Sequence, residues 1–150
     1  MPYKYSTQYY NKENMAKAVG RSLPISAKQS VEICGVIRHK YIAKAKELLQ
    51  NVIDKKRAIP FKRFHKDVGH KKRIGPGRYP VKAAREILKI LQMVEANAQF
   101  KGLSTANLII HHINTSVASR PWHFGRQRRR KMKRTNIEVI VEEKVLQKKE

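Results

Sequence analysis

Few residues in this chain have the types and spacing to do bond-making chemistry. His111, His112 and Asn114 are the kinds of side chain found in a metal-dependent nuclease site. Consecutive strand residues point to opposite faces, which would separate the two histidines. No acidic cluster accompanies them to hold Mg2+. Their expected role is a partly buried or nucleic-acid-facing ring. Gly75-Pro76-Gly77 forces a turn and could lie against phosphate, but no Gly-Lys-Ser/Thr follows and no strand is evident before it. A nucleotide P-loop is therefore set aside, and backbone lying close to an RNA phosphate chain explains the Gly and Arg equally well. Cys34 is the single cysteine, so there is no internal disulfide and no cysteine-pair zinc site. It fits a reducing compartment and a small core residue. No catalytic residue, metal site or cofactor is expected.

The chemistry the sequence does support is the binding of a polyanion. Ser119 to Thr135 reads SRPWHFGRQRRRKMKRT. Arg120, Arg126, Arg128, Arg129, Arg130, Lys131, Lys133 and Arg134 are basic, and none of the segment is acidic. Trp122, His123 and Phe124 place flat rings among these cations, where rings can stack on unpaired bases. The segment joins two strand-like runs but is too long for a tight hairpin turn. It is expected to protrude as an arm over residues 118–136. With about nine residues each way at roughly 3.3 Å each, it would reach about 30 Å from the body.

A second basic surface is expected at Lys55, Lys56 and Arg57 and along the connection 58–79. That connection carries Lys62, Arg63, His65, Lys66, His70, Lys71, Lys72, Arg73 and Arg78, then Tyr79, against Asp67 alone. Over 150 residues, 34 Lys and Arg face 11 Asp and Glu, a formal net charge of +23. Such an excess implies a polyanionic partner. A membrane surface fits less well, because the most basic stretch lacks the apolar period of an interfacial helix. No apolar run approaches the length that spans a bilayer. The start, MPYKYSTQYYNKEN, lacks the apolar core of a signal peptide, and a cytoplasmic protein is expected.

These groups need elements to position them. Residues 1–14, with Tyr3, Tyr5, Tyr9 and Tyr10, read as an extension that stacks on bases or on the protein itself. Met15 to Ile25 reads as an edge strand weakened by Gly20, with Lys17, Val19, Arg21 and Leu23 on one side and Ala16, Ala18 and Ser22 on the other. Ser26 with Gln29 forms a capping-box pattern for a helix from Ala27 to about His39. Its expected inner stripe is Ala27, Val31, Cys34 and Ile37 or Arg38, and Gly35 implies a close neighbour. A second helix carries Ile42, Ala45, Leu48, Leu49, Val52 and Ile53 on one face. Ala58 to Tyr79 reads as a long irregular connection pinned by Phe61 and Phe64.

Pro80 suits the first turn of a third helix with a stripe of Val81, Ala84, Ile87, Leu88, Leu91, Met93, Val94 and Ala98, stopped by Gly102. Asn97 fits an interface or capping role. Leu108 to Val117 and Ile137 to Val145 read as strands, the second half-buried by alternation. Glu142 and Glu143 form an acidic end that should face solvent or basic neighbours, and residues 147–150 should fray. The expected fold is α+β: a strand, three helices and a long hairpin. The helices stack on one face of a three-stranded antiparallel sheet in a single domain over 15–150.

Several stretches resemble the universal large-subunit ribosomal protein twenty-two family, called seventeen in the eukaryotic cytosolic series. They are ISAKQSVEICGVIRHK (Ile25 to Lys40), ANAQFKGL (Ala96 to Leu103), NLIIHHI (Asn107 to Ile113), FGR (Phe124 to Arg126) and TNIEVIVEEK (Thr135 to Lys144). IPFKRF (Ile59 to Phe64) and GPGRYPVKAA (Gly75 to Ala84) resemble the insertion of archaeal and eukaryotic members, with wording closer to the archaeal ones. The resemblance implies a non-enzymatic protein of the large ribosomal subunit. Its body would bind and help fold several segments of rRNA. Its hairpin would run along the wall of the nascent-peptide exit tunnel, with a tip at Arg126, Gln127, Arg128 and Arg129 near ribosomal protein four. Implied partners are rRNA, neighbouring ribosomal proteins and the nascent polypeptide, with no membrane and no homo-oligomer. Any structural Mg2+ would belong to the rRNA. The run RRRKMKR (Arg128 to Arg134) departs from the prolines and polar residues common in the family's returning arm. On charge and hairpin alone, a DNA-binding architectural protein with its arm in a minor groove is the alternative.

Overall fold

The structure, a computed structural model, describes residues 3–144. Its elements are β1 (Met15–Leu23), α1 (Ala27–Ile37), α2 (Ile42–Ile53), β2 (Ile59–Pro60), β3 (His70–Lys71), β4 (Gly75–Arg78), α3 (Val81–Phe100), β5 (Leu108–Val117) and β6 (Thr135–Glu143). The main sheet has the order β1-β6-β5 and is antiparallel throughout. The three helices cover one of its faces, as the periodicities predict. Residues 145–150, including the expected fraying end and Val145, lie outside the described residues.

The α2 stripe is as predicted: Ile42, Ala45, Leu48, Leu49 and Val52 are buried, and Ile53 is half-buried. In α3 the buried set is Ala83, Ala84, Ile87, Ile90, Leu91, Val94 and Ala98. Met93, placed on the stripe by sequence, is exposed, and Ile90 takes the inward position instead. Pro80 stands just before the helix rather than in its first turn, and its carbonyl accepts the first helical bond, from Ala84 N–H at 2.9 Å. Gly102 ends α3 as expected, with φ +78°. Gly102 N–H donates to Gln99 O and Leu103 N–H to Ala98 O, the paired bonds of a Schellman motif.

In α1 the inward face is Ser30, Ile33, Cys34 and Ile37, a clean i, i+3, i+4, i+7 set. Ala27 and Val31 are only half-buried and Arg38 is exposed. The helix is rotated from the expected stripe, and Gly35 consequently faces open space, with nothing near a Cβ built on it. Ser26 occupies the cap position, but its side chain makes no cap hydrogen bond, so the capping box is not formed. The helix ends at Ile37 because the chain turns out at His39 to pair with β5. His39 N–H donates to Ile110 O and Ile110 N–H to Lys40 O, both at 3.0 Å.

β1 is an edge strand, as expected; after Met15, which is buried at its start, the residues it buries are the small ones: Ala16, Ala18 and Gly20. The strand stops at Leu23 after an irregularity beyond Gly20, where Ser22 adopts φ +52°. Asn97 of α3 reaches across and donates from Nδ2 to Lys17 O at 2.9 Å. This is the interface role its position suggested.

The connection 58–79 is not irregular. β2, β4 and β3 form a second small antiparallel sheet, in that order. The strands are two to four residues long, too short to show a period. Phe61 is buried in this insertion and Phe64 is half-buried. Full burial of one aromatic ring is worth about 1.5–3 kcal/mol, so Phe61 is the firmer of the two anchors.

The outer face of the main sheet is also covered. Residues 3–14 cross it. Tyr5 and Tyr10 flank the Lys17 ammonium, Tyr3 lies beside Arg21, and Tyr10 Oη donates to Met15 O at 3.2 Å. Ser6 N–H donates to both oxygens of Glu138 at 3.2 Å, and its hydroxyl donates to Oε1 as well. β6 is therefore buried on both faces over its length Ile137 to Val141, not half-buried as its alternation implies. Tyr3, Tyr5 and Tyr10 are spent on the protein's own surface, while Tyr9 leans on the His111 ring and stays 59% exposed.

Candidate nucleic-acid interface

The arm is a continuation of the β5–β6 hairpin, narrowed to a thin ladder. Ala118 N–H donates to Arg134 O at 3.1 Å, Met132 N–H to Pro121 O at 2.8 Å, and His123 N–H to Arg130 O at 2.8 Å. Trp122 and Lys131 face each other across it, with the Lys131 ammonium 4.5 Å from the indole. The last of these bonds closes a six-residue loop, Phe124 to Arg129. Gly125 turns it with φ +64°, and Arg128 N–H bonds back to Gly125 O at 3.3 Å. Arg126, Gln127, Arg128 and Arg129 all sit in this loop.

Exposure and charge set the arm apart. Phe124 is 86% and Trp122 58% exposed, unusual for large apolar rings. Arg120, Arg126, Arg128, Arg129, Arg130, Lys131 and Lys133 are exposed, while Arg134 and His123 are half-buried. The ion pairs among the described residues are Lys46–Glu95, Lys56–Asp54, Lys89–Glu86, His111–Glu142 and His112–Glu138. None involves the arm. Its cations are held on a hydrogen-bonded frame with no internal counter-charge.

The base of the arm meets the insertion. Lys28 of α1, His65 of the insertion, and Arg120, Lys133 and Arg134 of the arm line a cleft of about 310 Å3 with no acidic residue in its wall. Lys28 was missed by sequence reasoning because a single lysine on a helix reads as a solvated face. Only the fold shows that it stands beside residues a hundred positions later. Lys62, Arg63, Lys66, His70, Lys71, Lys72, Arg73 and Arg78 are exposed on the insertion, and Tyr79 lies under the Lys71 ammonium at 5.6 Å. Lys55, Lys56 and Arg57 are exposed beyond α2 and are not among the residues lining the arm cleft. Arg57 instead lines a second cleft of about 410 Å3 with His39, Lys40, Tyr41 and Lys44, whose wall also holds the acidic Glu47. The two expected basic surfaces are thus divided differently: part of the insertion joins the arm at its base, while Arg57 goes with the α1–α2 junction.

The histidines are arranged differently from the expectation. The pairing register shifts between Ile110 and His112, a β-bulge that inserts His111. Both rings then lie on the outer face. His111 Nδ1 is 3.2 Å from Glu142, and His112 Nε2 is 3.0 Å from Glu138. Glu142 is thus engaged within the sheet. Among the described residues no group of three or more His, Cys, Asp or Glu is placed to hold a metal ion.

Residues 18–142 match the family model described as ribosomal protein L22p/L17e. The chain belongs to this family. It is similar to the large ribosomal subunit protein uL22 of Archaeoglobus fulgidus, at 43% identity over 92% of this chain and 94% of the relative. The uL22 of Methanosphaera stadtmanae is 45% identical over 93% and 96%. That of Methanopyrus kandleri is 43% identical over 95% of each chain. The likeness to archaeal relatives agrees with the GPGRYPVK wording of the insertion. The protein is a structural ribosomal component, not an enzyme. No helix among the described residues is long and apolar enough to cross a membrane.

Proposed function

We propose that this protein is a constituent of the large ribosomal subunit in the cytoplasm that binds and helps fold large-subunit rRNA through two basic surfaces. The first comprises the arm, its base cleft and the insertion. The second surrounds Lys55, Lys56 and Arg57. The arm lies along the wall of the nascent-peptide exit tunnel, with Arg126 to Arg129 at its tip, beside protein four and the passing polypeptide. One observation carries this reading. The arm presents Trp122, Phe124 and a run of arginines on an ordered ladder, and no acid among the described residues neutralises them.

The mechanism is charge neutralisation and stacking. Each phosphate met by Lys or Arg releases counterions, which adds about 0.7–0.9 to the slope of log affinity against log salt. Trp122 and Phe124 offer ring faces to unpaired bases, a contact that needs no base-specific code. Family membership removes the ground for the DNA-binding alternative. The experiment is a salt series of binding to large-subunit rRNA, with footprinting of the protected nucleotides. Affinity should fall steeply between low and moderate salt. Equal binding at both, or the absence of any protected rRNA nucleotide, would refute the proposal.

A further inference from the structure

Glu32 stands out as an acid on the surface-facing side of α1 that is nonetheless 6% exposed. It is covered by the basic insertion. Lys62 N–H donates to Oε2 at 3.1 Å, and Arg63 N–H and Phe64 N–H donate to Oε1 at 2.8 and 2.6 Å. Three consecutive backbone donors converging on one carboxylate make the concave nest that usually grips a phosphate or other anion. Here the chain supplies the anion itself. With the three N–H groups turned inward, the Lys62 and Arg63 side chains are left exposed. The Phe64 ring is held between two cations, Arg63 at 5.3 Å and Lys28 at 5.8 Å. The next residue, His65, lines the cleft at the base of the arm.

We propose that Glu32 is a positioning residue for RNA binding: its carboxylate sets the Lys62-Arg63-Phe64 backbone so that these side chains and His65 face the same polyanion as the arm. The proposal rests on the RNA-binding reading above. It makes a prediction whose sign opposes simple charge counting. In a chain of net charge +23, removing one carboxylate should tighten RNA binding by weakening repulsion. If Glu32 orders the loop, removing it weakens binding instead. Gln is nearly the same shape, but its amide nitrogen replaces the oxygen that accepts from Lys62 N–H, and the two bonds left to the amide oxygen lose their charge assistance, so the anchor is weakened.

The test is Glu32→Gln, measured for affinity to a large-subunit rRNA fragment at fixed salt, for helical circular dichroism, and for amide exchange at Lys62 to Phe64. The expected result is an unchanged helical signal, faster exchange at those amides, and about 10-fold weaker binding, comparable to the loss of one charge-assisted hydrogen bond. In a Lys62→Ala/Arg63→Ala background, adding Glu32→Gln should change affinity by less than about twofold, because the positioned side chains are already gone. Wild-type or tighter binding by Glu32→Gln overturns the proposal. So does a 10-fold loss that persists in the double-alanine background, since Glu32 would then act through the fold at large. Glu32→Asp keeps the charge and shortens its reach, and it too should bind more weakly. Wild-type affinity of that variant, or loss of the helical signal in both variants, also overturns the proposal. If neither the wild-type chain nor Lys62→Ala/Arg63→Ala shows salt-dependent RNA binding, it is the RNA-binding reading that fails.

Discussion

Gly20 of β1 lies directly beneath Ile90 of α3: a Cβ at Gly20 would stand 2.6 Å from Ile90 Cδ1 and 2.9 Å from Leu23 Cδ1. Ala16 and Ala18 continue the same small-residue track, and α3 seats on it. A side chain at Gly20 would have to displace Ile90, which is 2% exposed and has little room to move. Gly20→Val should therefore destabilise the fold by about 1–3 kcal/mol, and Gly20→Ala by less. Denaturant melts read this directly. A Gly20→Val protein as stable as wild type would mean that α3 does not sit this close.

The arm should be separable from the body. Arg128, Arg129 and Arg130 are exposed and form no ion pair among the described residues, so replacing all three with Ala should leave the helical signal and the melting temperature near wild type. The slope of log affinity against log salt for rRNA should fall by about 2–3, the share of three phosphate contacts. An unchanged slope would place the contacts elsewhere.

Acid should loosen the outer layer of the sheet. Burial pushes the Glu138 carboxyl up, but hydrogen bonds from Ser6 and the His112 ring outweigh it and hold it below the ordinary carboxylate value. Its folded pKa lies below its unfolded one, so its contribution is fully present above the unfolded value, about 4.3, and is lost as pH falls through the folded value. Melting temperature should drop across that acid window, and Glu138→Gln should flatten the drop. An equally steep decline in the variant would assign it to other carboxylates.

Cys34 should be inert while the chain is folded. It is 2% exposed, its Sγ lies 3.2 Å from Thr115 Oγ1, and burial pushes the thiol up to about 11. Labelling by an aromatic disulfide reagent at pH 8 should be at least about 100-fold slower than in denaturant. Rapid labelling of the native protein would show that α1 separates readily from β5.

What was legible in the sequence was what repeats locally. The stripe of α2, most of that of α3, the Gly102 stop and the run of arginines at the arm tip all follow from neighbours within a few turns. The misses share one physical origin: contacts between residues far apart. The rotation of α1 depends on where β5 draws off His39. Gly20 reads as a defect until α3 is laid across it. The alternation of β6 implies one wet face, and only the Ser6–Glu138 contact, 132 residues apart, shows that face covered. The bulge at His111 leaves no periodic mark. For the interface, composition shows the arm at once, but Lys28 belongs to it only through the fold.

The strand made last is the one in the middle. β6 lies between β1 and β5 and takes the N-terminal segment on its outer side. During synthesis, then, Met15–Leu23 has no strand to pair with, and residues 3–14 have no floor to rest on, until Glu143 has left the ribosome that is making it. The helices can form early, but the sheet closes only at the end, in a single late event. Loss of the nine residues of β6 would therefore undo the beginning of the chain as surely as its end.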